Sequence, residues 1–441
     1  MKIINKIFNK LNISNVTKNV SWILIQNIYT MLIGLILTGI VARHYGTEGY
    51  GIINLALSFV SLFSFIAVFG TNHIIVNDLT EKKYEKGLVL GSNLFVRITL
   101  SVIALIISQL FSIFLYDGNI NIIILIFNIN TILCSSDVIV YYAQSKIQNK
   151  YISISKIIST TVFSVMKIIV IIFDFNVTIY ALTYLVETIV YSILLYFSYK
   201  KIKDDNIIKW SIDKKYIFNL LQKSKYYALS ALMVTIYLKI DQVMLGTIFS
   251  DKSQVGIYSA AVRIAEIWTF VPLSVITSYK PIIIKNKGEN IDFYNISLQK
   301  LYNIISVICF VFTIGICLFG KLGIFILYGS NYLSAYIPLI ILVFGIWIGT
   351  LGNIHYIWMT CENKEKYSLI YSFNGCITNI ILNIILIPKY GIIGAAIATL
   401  ISQVFSNIIA FLFIKEARCL SIMLLKSLNP INGIKVLKKG R

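Results

Sequence analysis

Apolar residues in this chain gather in long uninterrupted runs, and polar residues are confined to short intervals between them. A helix needs about 20 such residues to cross a bilayer. Twelve runs reach that length: about 20–42, 51–77, 88–116, 120–144, 152–173, 177–199, 219–249, 255–279, 296–320, 333–360, 367–387 and 391–414. The longest polar interval lies near Lys200 to Lys215, so no soluble domain fits between the runs. The pattern predicts an all-α polytopic membrane protein with twelve transmembrane helices.

Composition agrees: 57% of the residues are hydrophobic and 13% charged, too little polar surface for a soluble fold of 441 residues. The net charge of +20 would suit nucleic acid if it sat on one soluble face. Its placement argues otherwise. With the N-terminus inside, 31 of the 39 basic residues fall in cytoplasmic segments and only Arg43, Lys252, Lys321 and Lys389 fall outside. That asymmetry supports an even number of spans with both termini cytoplasmic, and no nucleic acid partner. Residues 1–200 are expected to form an N-terminal lobe of spans 1–6, 201–216 a cytoplasmic inter-lobe loop, 217–414 a C-terminal lobe of spans 7–12, and 415–441 a basic cytoplasmic tail. Met1 to Lys18 is basic and amphipathic, without the apolar core and cleavage site of a secretory signal.

Catalysis finds no footing in the sequence. The six cysteines stand alone, His44, His73 and His355 are far apart, and no phosphate-binding glycine loop is present. Neither an enzyme nor a cofactor or metal site is expected. Energy for any transport must then come from an ion gradient, the membrane potential or the substrate's own gradient.

A shift of 205 residues lays Gly51-Ile52-Ile53-Asn54-Leu55-Ala56 on Gly256-Ile257-Tyr258-Ser259-Ala260-Ala261. Both segments follow the first span of their half across a short outside turn. This is the pattern of transporters built from parallel repeats. Four bases, Arg97, Lys167, Lys239 and Arg263, lie within spans, as do the acids Asp137, Glu187, Asp241 and Glu266. Ionisable groups at that depth are expensive, and each needs a partner or a purpose.

Four segments carry a family likeness. They are Arg43-His44-Tyr45-Gly46-Thr47-Glu48-Gly49-Tyr50-Gly51, the stretch Lys239 to Gly246, the stretch Val255 to Ala261, and Asn383 to Ala396 with its Pro388-Lys389-Tyr390-Gly391 core. In order along nearly the whole chain, they resemble the polysaccharide (O-antigen or capsule repeat-unit) flippases of the multidrug/oligosaccharidyl-lipid/polysaccharide exporter superfamily. The resemblance implies two six-helix lobes forming a V around a central cationic cavity. It also implies alternating access that carries an undecaprenyl-pyrophosphate-linked oligosaccharide from the cytoplasmic to the periplasmic leaflet of the bacterial inner membrane. The partners implied are that lipid-linked oligosaccharide and membrane lipid, with a glycan polymerase and glycosyltransferases nearby and H+ or Na+ as candidate coupling ion.

Cargo of this kind needs cations for its phosphates and a wet cavity for its sugars, because unsatisfied polar groups do not cross hydrocarbon. Arg263, Lys239, Lys167, Arg43 and Arg97 are the candidate pyrophosphate contacts, in that order of interest. Counting from the turn at Ser250 to Gln254, the helical rise puts Asp241 level with Arg263 at about 14 Å, and Lys239 level with Glu266 at about 16–18 Å. Two cross-helix ion pairs are therefore expected, serving structure or ion coupling, and Asp137 and Glu187 are expected to pair with Arg97 or Lys167. Pro272 offers a hinge one to two turns below Glu266. Asp78 is expected to snorkel at a cytoplasmic helix end. Tyr29, Tyr237, Trp347 and Trp358 are candidates for stacking on sugar, although anchoring and packing are commoner uses. Rival readings are a cation-coupled multidrug exporter, a lipid II flippase of the same superfamily, and a non-transporting scaffold for glycan assembly. Because intramembrane bases match acids in number and the first span has no acid before Arg43, anionic cargo is favoured.

Overall fold

The computed structural model describes residues 15–81, 83–202, 209–362, 364 and 366–429. Most of the amphipathic N-terminal segment, the middle of the inter-lobe loop and the end of the basic tail therefore lie outside the described residues. Among those described there is no strand; long helices follow one another through short turns. They are α1 (Asn15–Val68), α2 (Thr71–Thr80), α3 (Lys86–Leu115), α4 (Gly118–Leu133), α5 (Val138–Ser145), α6 (Asn149–Ile172), α7 (Val177–Ile202) and α8 (Lys214–Ile248). The second half continues with α9 (Ser253–Glu266), α10 (Phe270–Glu289), α11 (Ile291–Tyr328), α12 (Tyr336–Gly352), α13 (His355–Cys361), α14 (Lys366–Val404), α15 (Ala410–Phe413) and α16 (Arg418–Ser427).

Among the described residues, ten helical stretches are long and apolar enough to cross a membrane. Two of them, Asn19–Val68 and Tyr367–Phe413, run to 50 and 47 residues. Either length is over twice the roughly 20 residues one crossing needs. Each is broken by a glycine in the left-handed region, Gly46 at φ 67° and Gly391 at φ 55°. Glycine enters that region without a steric penalty. Both follow a tyrosine inside the segments that carried the family likeness.

Helix α3 shows why these helices suit lipid. Ser101, Ala104, Ser108 and Ser112, spaced at three to four residues, are buried, whereas Ile103, Ile106, Leu110 and Phe114 are exposed. Small side chains let helix backbones approach where hydrocarbon supplies no hydrophobic drive, and bulky ones are left to the acyl chains.

The chain packs as two compact units, residues 1–44 with 56–232 and residues 45–55 with 233–441. In the first, α3 packs on α4, α4 on α7 and α6 on α7. At one end a core of Ile75, Leu79, Val89, Leu90, Tyr142, Leu195 and Tyr216 gathers α2 and α5. Asp78 does not snorkel: it is buried and accepts a 2.9 Å hydrogen bond from the Tyr216 hydroxyl, which removes the reason to reach for water. In the second unit α12 packs on α14, α10 and α12 on α11, α9 on α12, and the tail helix α16 lies against α11. Lys287 at the end of α10 pairs with Glu362 at 2.7 Å, and Lys364 pairs with Glu416, tying the loop ends of this unit together.

Within the second unit the two repeat segments meet. A Cβ on Gly51 would lie 1.9 Å from the Lys252 carbonyl oxygen, and one on Gly256 would lie 2.0 Å from that of Thr47. Each glycine thus makes room for the backbone that carries the other. Replacing either by alanine forces backbone apart, an overpacking that costs about 1–3 kcal/mol. Gly51→Ala and Gly256→Ala are each expected to lower the melting temperature of the detergent-solubilised protein, whereas Gly288→Ala, at an open position, leaves it nearly unchanged.

Candidate functional site

The spanning helices of the first unit hold a network of charges. Lys167 on α6 is buried and lies 3.0 Å from the Glu187 carboxylate on α7. Lys156, three turns earlier on α6, reaches the other oxygen of Glu187 at 3.8 Å. Tyr184, Glu187 and Tyr191 follow at three- and four-residue spacing and so share one face of α7. Their rings take the lysines face-on: the Lys167 ammonium is 3.9 Å from the Tyr184 centroid and that of Lys156 is 4.7 Å from Tyr191. Aromatic faces attract cations most strongly where water is scarce.

The network continues through the tight turn at Cys134–Asp137 between α4 and α5. Asp137 feels the charges of Arg97 and Lys156. Cys134 is within the fields of Asp137, Lys156, Arg97 and Glu187. Arg97 is buried, with its guanidinium 5.3 Å from the Tyr141 ring, and its Nη1 has no hydrogen-bond partner. Three bases and two acids leave the cluster net positive, with one guanidinium nitrogen free to donate to an anion. Lys156 escaped sequence reasoning because its place near a helix start put it among the cytoplasmic cations. The spacing of Tyr184, Glu187 and Tyr191 was the signal that could have found the cluster's aromatic face. Arg43 is exposed at the end of the first arm of α1, and its neighbour His44 lies 3.3 Å from Asp174 in the α6–α7 turn.

In the second unit the two expected ion pairs do not form. Asp241 is buried and accepts hydrogen bonds from the Tyr258 hydroxyl at 2.6 Å, the Asn383 amide at 2.6 Å and the Thr399 hydroxyl. Asn379 stands next to Asn383, the two amides joined at 3.1 Å. Arg263 and Glu266 are exposed and Lys239 is half-buried. Among the described residues none of these three charged groups has an ion-pair partner. The reason is rotation rather than depth. Tyr258 is the residue of α9 that faces Asp241, and Arg263, five residues on, is turned about 140° away from it. Lys239 is two residues from Asp241 and therefore on nearly the opposite face of α8. Asn379 and Asn383 at four-residue spacing were legible as a polar stripe but had not been connected to Asp241.

Pro272 lies in the first turn of α10, just after a tight 3₁₀ turn at Ile267–Thr269. Having no N–H, it cannot bond the Trp268 carbonyl, which fits the break at that level. Of the aromatic candidates, Tyr29 hydrogen-bonds Thr161 at 2.6 Å, and Trp347 is buried with its indole N–H directed to Ser306 at 3.2 Å. Trp358 is buried as well.

Spanning helices with charges held inside them define a polytopic membrane protein of the transporter type. Residues 16–287 match the polysaccharide biosynthesis protein family, and the chain belongs to that family. Capsular polysaccharide biosynthesis protein CapF of Staphylococcus aureus is 25% identical over 415 residues, covering 90% of this chain and 99% of CapF. The probable flippase AglR of Haloferax volcanii is 28% identical over 233 residues, covering 49% of this chain and 44% of AglR, so that match spans under half of AglR. In architecture the chain is similar to the lipid II flippase MurJ in its inward closed conformation, with a TM-score of 0.68 at 18% identity over 94% of this chain and 92% of that one. The family membership agrees with what the segments around Gly46 and Gly391 implied.

Removing one partner of a buried ion pair costs about 3–5 kcal/mol because the other charge is left behind. Glu187→Gln should therefore destabilise the protein strongly, and Glu187→Leu combined with Lys167→Met should recover much of the loss. Thermal unfolding of the purified variants in detergent reads both.

Proposed function

We propose that this protein is a flippase that moves an undecaprenyl-pyrophosphate-linked oligosaccharide repeat unit from the cytoplasmic to the outer leaflet of a bacterial cytoplasmic membrane by alternating access. In this reading the chain crosses twelve times with both termini cytoplasmic, each of the two longest helical stretches making two crossings on either side of its glycine break. The observation that carries it is the unpaired state of Lys239 and Arg263 on spanning helices. A cation without a counter-ion at that depth must face water or an anionic ligand, since hydrocarbon would not hold it. Pyrophosphate is such a ligand. Glu187 is engaged by two lysines and Asp241 by neutral donors, so the charge left for cargo is mainly positive: Arg97, Lys239 and Arg263 against Asp137 and Glu266. That balance disfavours a cationic drug as cargo.

Asp241 serves as the coupling site in the same reading. The carboxylate accepts from the Tyr258 and Thr399 hydroxyls and the Asn383 amide, and Asn379 Oδ1 accepts from that same amide, so oxygen-bearing side chains surround it. Hard cations prefer oxygen ligands, and a carboxylate without a basic partner can alternatively take a proton. The enzymes that build the repeat unit and the polymerase that consumes it are the partners this function requires.

The decisive measurement depletes the protein and asks which leaflet holds the lipid-linked unit. Its accumulation on the cytoplasmic side is expected, and undiminished delivery in a strain with no second flippase would refute the proposal. A charge-assisted contact contributes about 1.5–3 kcal/mol, or tenfold or more in rate if made in the limiting step. Arg263→Ala and Lys239→Ala should each slow transport by about that factor and exceed Lys167→Gln, whose parent side chain is already neutralised by Glu187. Asp241→Asn should abolish the dependence of transport on the cation gradient while the protein still reaches the membrane.

A further inference from the structure

We infer that a file of ordered water runs through the interior of the second unit, from its Tyr356–Tyr371 end up to Asp241, and is the route by which a coupling cation passes between that carboxylate and the aqueous phase at that end. The route's use by a cation rests on the coupling role given to Asp241 above; the water file itself does not.

Three polar ladders at helical spacing converge in this unit. On α8 Tyr237 stands one turn before Asp241. On the first arm of α14 the buried residues Ser372, Cys376, Asn379 and Asn383 fall at intervals of four, three and four, and so share one face. On its second arm Thr399, Gln403 and Asn407 do the same across the transition into the wider turn at Phe405–Ile409. The Asp241 carboxylate fixes the top of the ladders through Asn383 and Thr399.

Two buried polar atoms along these ladders have no partner in the protein: Asn383 Oδ1 beside Asp241 and the Tyr237 hydroxyl a turn lower. An orphaned buried group costs about 1–3 kcal/mol if dry. Two on successive turns beside one buried carboxylate point to water, which satisfies such groups in protein interiors. The Tyr237 ring stands 3.6 Å from where a Cβ of Gly375 would be, between Asn379 and Ser372 on the first arm of α14, and so bridges the upper and lower groups. Tyr371 is half-buried and Tyr356 is 37% exposed, which gives the file its mouth.

The opposite wall is closed. Asn407 Oδ1 occupies the place where a Cβ of Gly352 would be, at 1.6 Å, and Gln403 Oε1 lies 2.6 Å from that of Gly349. The narrow point is at Gly375, where an added Cβ would stand 3.2 Å from the Ser406 Cβ and 3.6 Å from the Tyr237 ring. One methyl group there fits only by closing the passage between Tyr237 and Ser372.

Hydroxyl-radical footprinting of the full-length protein in nanodiscs, read by mass spectrometry, tests this directly, because radicals formed from bound water oxidise adjacent buried side chains. Tyr237 and Cys376 should be oxidised about tenfold faster than Tyr332, which is buried with its hydroxyl bonded directly to the Gly46 carbonyl. Rates equal to that of Tyr332 overturn the water file. In Gly375→Ala, labelling of Tyr237 should fall to the Tyr332 level while that of Tyr371 persists, and cation-dependent transport should slow by a similar factor. Unchanged labelling of Tyr237 in that variant overturns the route. Asp241→Asn separates the two ideas. Labelling that persists with cation dependence lost supports both; labelling that persists with cation dependence intact overturns the cation's use of the route and the coupling role of Asp241, while the water stands.

Discussion

Placing charge inside a hydrocarbon-thick protein is the constraint on which the rest of this structure depends. The chain meets it in three ways. In the first unit Lys156 and Lys167 share Glu187 and lean on tyrosine rings, so charge is balanced by charge and by π-electron density. In the second, Asp241 is surrounded by hydroxyl and amide donors with no cation among its hydrogen-bond partners. Arg263 and Glu266 are exposed on α9, with Arg263 turned about 140° away from Tyr258. The first solution is rigid, because no member can leave without stranding another. The second and third leave capacity for something that is not protein, and for that reason the functional reading is placed there.

Much of the fold could be read from the residues, because a membrane makes hydropathy a strong constraint. Every span expected from the apolar runs has a helix beneath it. In the two long stretches the helix breaks fall where one apolar run gives way to the next, since Tyr45-Gly46 and Tyr390-Gly391 mark backbone that only glycine enters easily. The site was harder. Rise per residue gave the depth of Asp241 and Arg263, but which way a side chain points depends on how each helix is rotated about its axis. That rotation is set by packing of small residues that carry no charge signal, such as Ala260 and Ala261. The error was therefore one of azimuth. Lys156 was missed for a related reason: a lysine near a helix end has long enough reach to go either to water or inward, and only the position of Glu187 decides between them.

The same comparison explains why polar residues of low charge carry more of the second unit's character than its ionisable ones. Asn379, Asn383, Thr399, Gln403 and Asn407 looked like ordinary uncharged positions in apolar runs. Once two arms of one bent helix are folded against α8 and α12, their spacing brings them to a common interior. The bend at Gly391 is what allows a single stretch of sequence to supply two walls.

The reciprocal seat of Gly51 and Gly256 has a consequence for how such a chain can change. Each glycine is the space into which the other's backbone fits, so neither position is free to acquire a side chain while its counterpart stays put. Two copies of a repeated segment would be expected to drift apart wherever their surroundings differ. Here their surroundings are each other, and divergence of one copy is held in check by the shape of its twin.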